Sequence, residues 1–152
     1  FVHVALHELA HGLGVVSGVS RASGAKFLGY DDAYMVHLVR AGASPETFPA
    51  MTNAQRLAAL TAGPELQWAG AGGVSASGVL SDGVSAEGRI EMYAPGPTPS
   101  SAAMTHFAID LSPDQIEEPY YIAAGPDFRV TRAALLDVGW GAVPPCEPVS
   151  VP

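Results

Sequence analysis

The chain has 152 residues, about one domain's worth, of which 48% are apolar and only 14% charged, with a net charge of −8. A chain this acidic, with Lys26 as its single lysine, lacks the basic surface that nucleic acids or anionic membranes require. No run of about 18 apolar residues is present, so no membrane-inserted helix is expected, and a single cysteine, Cys146, excludes an internal disulfide.

Residues 1–16 read as a helix that is apolar nearly all round, through Val2, Val4, Leu6, Leu9, Ala10, Leu13 and Val15, and therefore as a buried core helix. Gly12 and Gly14 allow it to stop and turn sharply. The sequence opens inside this pattern with no initiator Met and no N-cap residue. The expectation is a fragment or processed piece of a longer protein, with an upstream segment or partner chain completing the fold. Residues 17–30 are a Ser- and Gly-rich loop, and Tyr30 to Arg40 an extended or short helical element. Residues 41–50 form a loop. Thr52 to Thr61 reads as a helix capped by Thr52 or Asn53 and ended by Gly63-Pro64. Short strands are expected at Glu65–Trp68, Gly78–Leu80 and Arg89–Tyr93, between Gly and Ser turns. A loop punctuated by Pro95, Gly96, Pro97 and Pro99 delivers Met104-Thr105-His106-Phe107. Glu117-Glu118 reads as a solvated turn. A last helix runs from about Thr131, its N-cap, to Val138, with Gly139 as its stop. The Leu136–Trp140 segment reads as core packing. Residues 1–141 then make one folded region, 41–100 an inserted and partly β subdomain within it, and 142–152 a Pro-rich linker or tail.

The chemistry is concentrated in His7-Glu8-Leu9-Ala10-His11. Two histidines four apart share one helix face, so both rings can reach one zinc ion, with Glu8 beside them to handle protons. Catalytic zinc usually has three protein ligands. His3 extends the ladder, but eight helical residues span roughly 12 Å, too far for three rings to converge on one ion. The longer metzincin pattern places a third histidine six residues after the second, and that position is Ser17. His106, held on a rigid non-helical segment, is the best third ligand. His37 is the runner-up, and Asp31, Asp32 and Glu118 are carboxylate alternatives. Asp31-Asp32 also offers the hard oxygen atoms that Ca²⁺ takes.

The segments His7 to Gly14, Thr52 to Arg56, Thr105-His106-Phe107, Leu111-Ser112-Pro113, Glu118-Pro119 and Leu136 to Trp140 resemble those of secreted bacterial metzincin-like zinc peptidases. In that group a helix motif H-E-L-x-H-G-L-G is followed by an insertion, a Ser-His-Trp-type ligand motif, Leu-Met-Glu-Pro and Leu-x-Asp-Ile-Gly-Trp. The resemblance implies an α+β, zincin-like fold with its usual sheet upstream of the motif helix. It also implies a secreted or extracellular location, zinc on His7, His11 and His106, and Glu8 as catalytic base. Two positions depart from the pattern. The ligand motif is Thr105-His106-Phe107, and the methionine of the Met-turn is replaced by Glu117. A glutamate there either faces solvent in a rearranged turn or adds a carboxylate near the zinc.

The expected activity is hydrolysis of a protein or peptide substrate by a metal-activated water, with Glu8 as general base and a phenol from Tyr120 or Tyr121 as oxyanion donor. The alternative is a zincin-like module that binds metal, or serves surface assembly, without proteolysis.

Overall fold

The computed structural model describes residues 1–42, 44–120 and 126–141. The 142–152 tail with Cys146, and Tyr121, lie outside the described residues. Four α-helices and four short strands make up its regular structure among the described residues, a mixed α+β arrangement.

The motif helix, α1, spans Val2–Gly12. The chain then passes through short turns to a 3₁₀ turn at Met35–His37 and into β1, Leu38–Arg40. Strand β2 is Glu46–Thr47, β3 Leu66–Trp68 and β4 Ile90–Glu91. They form one antiparallel sheet in the order β2-β1-β3-β4. Leu38 pairs with Trp68, and Trp68 with Ile90. All three are fully buried, so the register sets one apolar row across the sheet. Tyr34 lies against Trp68 with ring centroids 4.7 Å apart. A single core cluster takes in this row together with Ala10 and Val15, Met92, Met104 and Phe107, and Val130 and Ala134.

Helix α2, Asn53–Ala59, begins where its capping chemistry dictates. The Gln55 amide donates to the Thr52 hydroxyl, and the Thr52 amide donates to the Gln55 side chain at 2.8 Å. Arg56, on this helix, is buried and donates to the carbonyls of Gly24 and Phe48 at 2.7 and 2.9 Å. It thereby ties the 17–30 loop to the sheet.

Four sequence expectations need correction. Gly78–Leu80 is no strand: Ser77–Val79 is a 3₁₀ turn that follows an unanticipated helix α3, Ala71–Ala76. The local sequence Ala-Gly-Gly-Val-Ser-Ala is a weak helix former. Its start is fixed from a distance, because the Asp137 carboxylate accepts the Gly72 and Gly73 amides at 2.7 and 2.9 Å. The last helix, α4, starts earlier than expected, at Arg129, and runs to Leu135 before a π-type turn over Leu136–Trp140. Thr131 is a buried residue within it, not its cap.

The third correction concerns α1. Among its residues only Ala10 is buried. Val2, Val4, Leu6 and Leu9 are exposed, because an all-apolar helix needs partners on every side and the described chain supplies them on one. An apolar groove of about 290 Å³ runs between Leu6, Leu9 and Leu13 of the α1 region and Leu135 of α4. Of the Leu136–Trp140 segment, read as core packing, Val138 packs against the core but Leu136 and Trp140 are exposed, although the Trp140 indole N–H reaches the Leu13 carbonyl at 2.5 Å.

Candidate metal centre

His7 and His11 sit on the α1 edge that turns toward the core. Beyond the helix, Leu13 and Gly14 reverse the chain, with Gly14 at φ +116°, a conformation that favours glycine. The Val15 amide returns to the Ala10 carbonyl at 3.0 Å. This turn brings the Val15 carbonyl under the His11 ring, where Nδ1–H donates to it at 2.7 Å.

His106 arrives from a segment 95 residues beyond His11. The residues around it form a short strip between two others. The Tyr93 amide donates to the His106 carbonyl and the Phe107 amide to the Glu117 carbonyl, each at 2.9 Å. Just before it, Met104 holds a left-handed conformation at φ +64°, rare for a side chain of that size. Its amide and carbonyl are anchored by the Tyr93 carbonyl at 2.8 Å and the Tyr34 hydroxyl at 2.9 Å. The strain is thus held by the core and aims His106 at α1.

The three rings meet. His106 Nε2 lies 3.3 Å from His7 Nε2 and 3.2 Å from His11 Nε2. All three ligand atoms lie within 4.8 Å of one another, the one such cluster of metal-competent groups among the described residues. Each opposite ring nitrogen faces an acceptor. His7 Nδ1 donates to the Ile116 carbonyl at 2.7 Å, His11 Nδ1 to that of Val15, and His106 Nδ1 to that of Ala102 at 3.0 Å. Since a carbonyl only accepts, these contacts assign the proton to Nδ1 in every ring. Three Nε2 lone pairs then converge with no hydrogen between them, an arrangement that repels itself unless a cation occupies the centre. Protonating His106 is disfavoured, because burial, with His11 and His7 alongside, pushes its pKa down to about 4. Zinc–nitrogen bonds of about 2.0–2.1 Å at tetrahedral angles separate ligand nitrogens by about 3.3–3.4 Å, close to the two separations that His106 makes. The histidines therefore fit a metal ion, and their main-chain acceptors supply the outer contacts that fix ligating imidazoles.

Glu8 is exposed beside His7 and lines a cleft of about 180 Å³ together with His3, Glu118 and Tyr120. The Tyr120 hydroxyl is 3.2 Å from that of Tyr93. Glu118 is buried and accepts the Gln115 amide at 2.6 Å. Burial pushes its carboxyl up to about 7, against the effect of that amide.

The other candidate ligands stand elsewhere. His37 Nε2 lies 3.0 Å from the Asp137 carbonyl, its ring 5.1 Å from that of Trp68. The Ser17 hydroxyl donates to Asp32 at 2.7 Å. Asp32 also accepts the amides of Gly18, Tyr34 and Met35, and Asp31 pairs with Lys26 at 2.7 Å. These carboxylates are occupied by the chain's own donors and belong to no ligand cluster among the described residues.

Glu117 is not in a solvated turn. It is fully buried, and neither carboxylate oxygen has a hydrogen-bond partner. The oxygens lie 3.8 Å from His7 Nδ1 and 3.6 Å from His11 Nδ1. Burial, with Glu8 nearby, pushes this carboxyl up to about 8. Its position beneath the rings is beyond local sequence rules. The signal available was its alignment with the Met-turn position, where an apolar floor is expected.

Comparisons with protein-family models, curated proteins and solved structures found no match, so the centre stands on its own geometry.

Proposed function

We propose that this chain is a metzincin-like zinc peptidase that hydrolyses protein or peptide substrates outside the cell. The observation that carries the reading is the convergence of three Nε2 atoms, from His7, His11 and His106, next to a cleft that Glu8 lines. His7, His11 and His106 would hold the zinc, which would supply Lewis acidity toward a water and a substrate carbonyl. Glu8, carried one residue after a ligand, takes the water's proton and hands it to the leaving amine. Tyr120 lines the same cleft, and its phenol can donate to the developing oxyanion. The Tyr93 hydroxyl beside it orients that phenol. The exposed apolar face of α1 supports a further segment or chain completing the fold.

The test pairs zinc content with cleavage. Glu8→Gln should retain stoichiometric zinc and lose about 10²–10⁴ in turnover of a generic protein substrate. Undiminished cleavage by that variant refutes the mechanism.

One observation favours a second reading, a zincin-like module that holds metal without proteolysis: the carboxylate of Glu117 stands where an apolar floor is expected. Zinc bound at one equivalent, with no cleavage that chelation abolishes and zinc restores, selects it.

A further inference from the structure

Among the described residues, Glu117 is the one carboxylate with both oxygens buried and unpartnered. Such a group is expensive to keep. An apolar side chain of similar size in the same place is commonly cheaper, often by a wide margin. No donor among the described residues offsets that expense.

Geometry identifies what can. The carboxylate faces the Nδ1 edges of His7 and His11 at 3.8 and 3.6 Å. Those N–H groups already donate to the carbonyls of Ile116 and Val15, so the contact is electrostatic rather than a hydrogen bond. Glu117 is also outside the group of ligand atoms that lie mutually within 4.8 Å. It faces the outer edges of the rings, not the point where their Nε2 atoms converge. A divalent ion at that point would make the two imidazoles more positive and better partners for the carboxylate below.

We propose that Glu117 is a positioning residue of the metal centre: a buried counter-charge that braces His7 and His11 from beneath and raises the affinity of the site for a divalent cation at the expense of the metal-free fold. The inference rests on the metal-site reading above but not on proteolysis. It gives stability and affinity opposite signs, which a packing role would not.

The experiment compares the full chain with Glu117→Gln, uncharged and of the same shape, and Glu117→Met, apolar and of similar volume. Zinc affinity is measured by chelator competition, and thermal unfolding is followed in the metal-free state. Both variants should bind zinc about 10–100-fold more weakly. Metal-free Glu117→Met should melt above the parent by about 3 °C or more. Zinc affinities within about twofold of the parent in both variants overturn the proposal. So does a Glu117→Met protein that loses affinity and thermal stability together. If the parent itself binds no zinc, the metal-site reading falls and this inference with it. Zinc binding without cleavage removes only the peptidase reading, and the affinity ratio still decides the role of Glu117.

Discussion

Asp137 and Glu117 are acidic side chains set into the protein on opposite terms. Asp137 accepts three hydrogen bonds, from the Trp68 indole at 3.0 Å and from the Gly72 and Gly73 amides. A Cβ on Gly70 would lie only 2.2 Å from its carboxylate, so the α3 backbone closes around it. Glu117 is more deeply buried and accepts none. The first acid holds elements together. The second is held by them, in a place where no described donor meets it. A satisfied carboxylate reads as architecture, and an orphaned one beneath converging histidines reads as preparation for a cation. Glu118 stands between the two, buried with one amide donor.

The strongest break of this contrast comes from dismantling the centre. His106→Ala should weaken zinc binding beyond about 100-fold, more than loss of an outer contact does. The far-ultraviolet circular dichroism should be unchanged, because His106 lies in a non-helical strip. Chelator competition measures the loss, and near-parental affinity would show that the ring is no ligand. Next in size is Asp137→Ala. It strands the Trp68 indole and two amides, and should lower stability by about 2–3 kcal/mol in denaturant unfolding. Zinc affinity should stay within about twofold, since Asp137 bonds to α3 and Trp68 and to none of the ligand rings. A large fall in zinc affinity would erase the distinction between the two acids.

The smallest effect is a pH dependence at Glu118. Its carboxyl, ordinarily near 4.5, is raised to about 7 in the folded protein. Between those values the folded state keeps a proton that the unfolded state has released. This group's contribution is therefore most favourable at low pH and declines as pH rises from about 4.5 through 7. Metal-free Glu118→Gln should lack that decline, so its melting temperature relative to the parent should climb across this window. A difference that is flat with pH would place Glu118 in a wetter setting than its burial indicates.

Much of the centre was legible in the sequence because its logic is local. Four-residue spacing puts His7 and His11 on one face whatever the rest of the chain does. His106 was found from the rigid loop before it and from the family resemblance. The capping box of α2 was equally visible, since Thr52 and Gln55 act on their own backbone. What escaped was non-local. Helix α3 is started by an aspartate some 65 residues further on, so no window of its own sequence contains the cause. The exposure of α1 escaped for the same reason: periodicity tells which faces are apolar, not which of them the chain has partners to cover. Glu117 followed the ordinary rule that paired glutamates after a turn are wetted, and the strip joining Phe107 to the Glu117 carbonyl overrides that rule.

The acceptors that orient the three rings are the carbonyl oxygens of Ile116, Val15 and Ala102. Every amino acid carries that atom. Side-chain replacement at positions 15, 102 and 116 leaves the acceptor in place as long as the chain keeps its path. The orientation of the centre is therefore insulated from most single-codon changes. Its vulnerable points are insertions or deletions at 12–15, 100–105 and 114–118, which shift the main chain itself. Drift in this protein should accordingly be tolerated more in the side chains at 15, 102 and 116 than in the spacing between them.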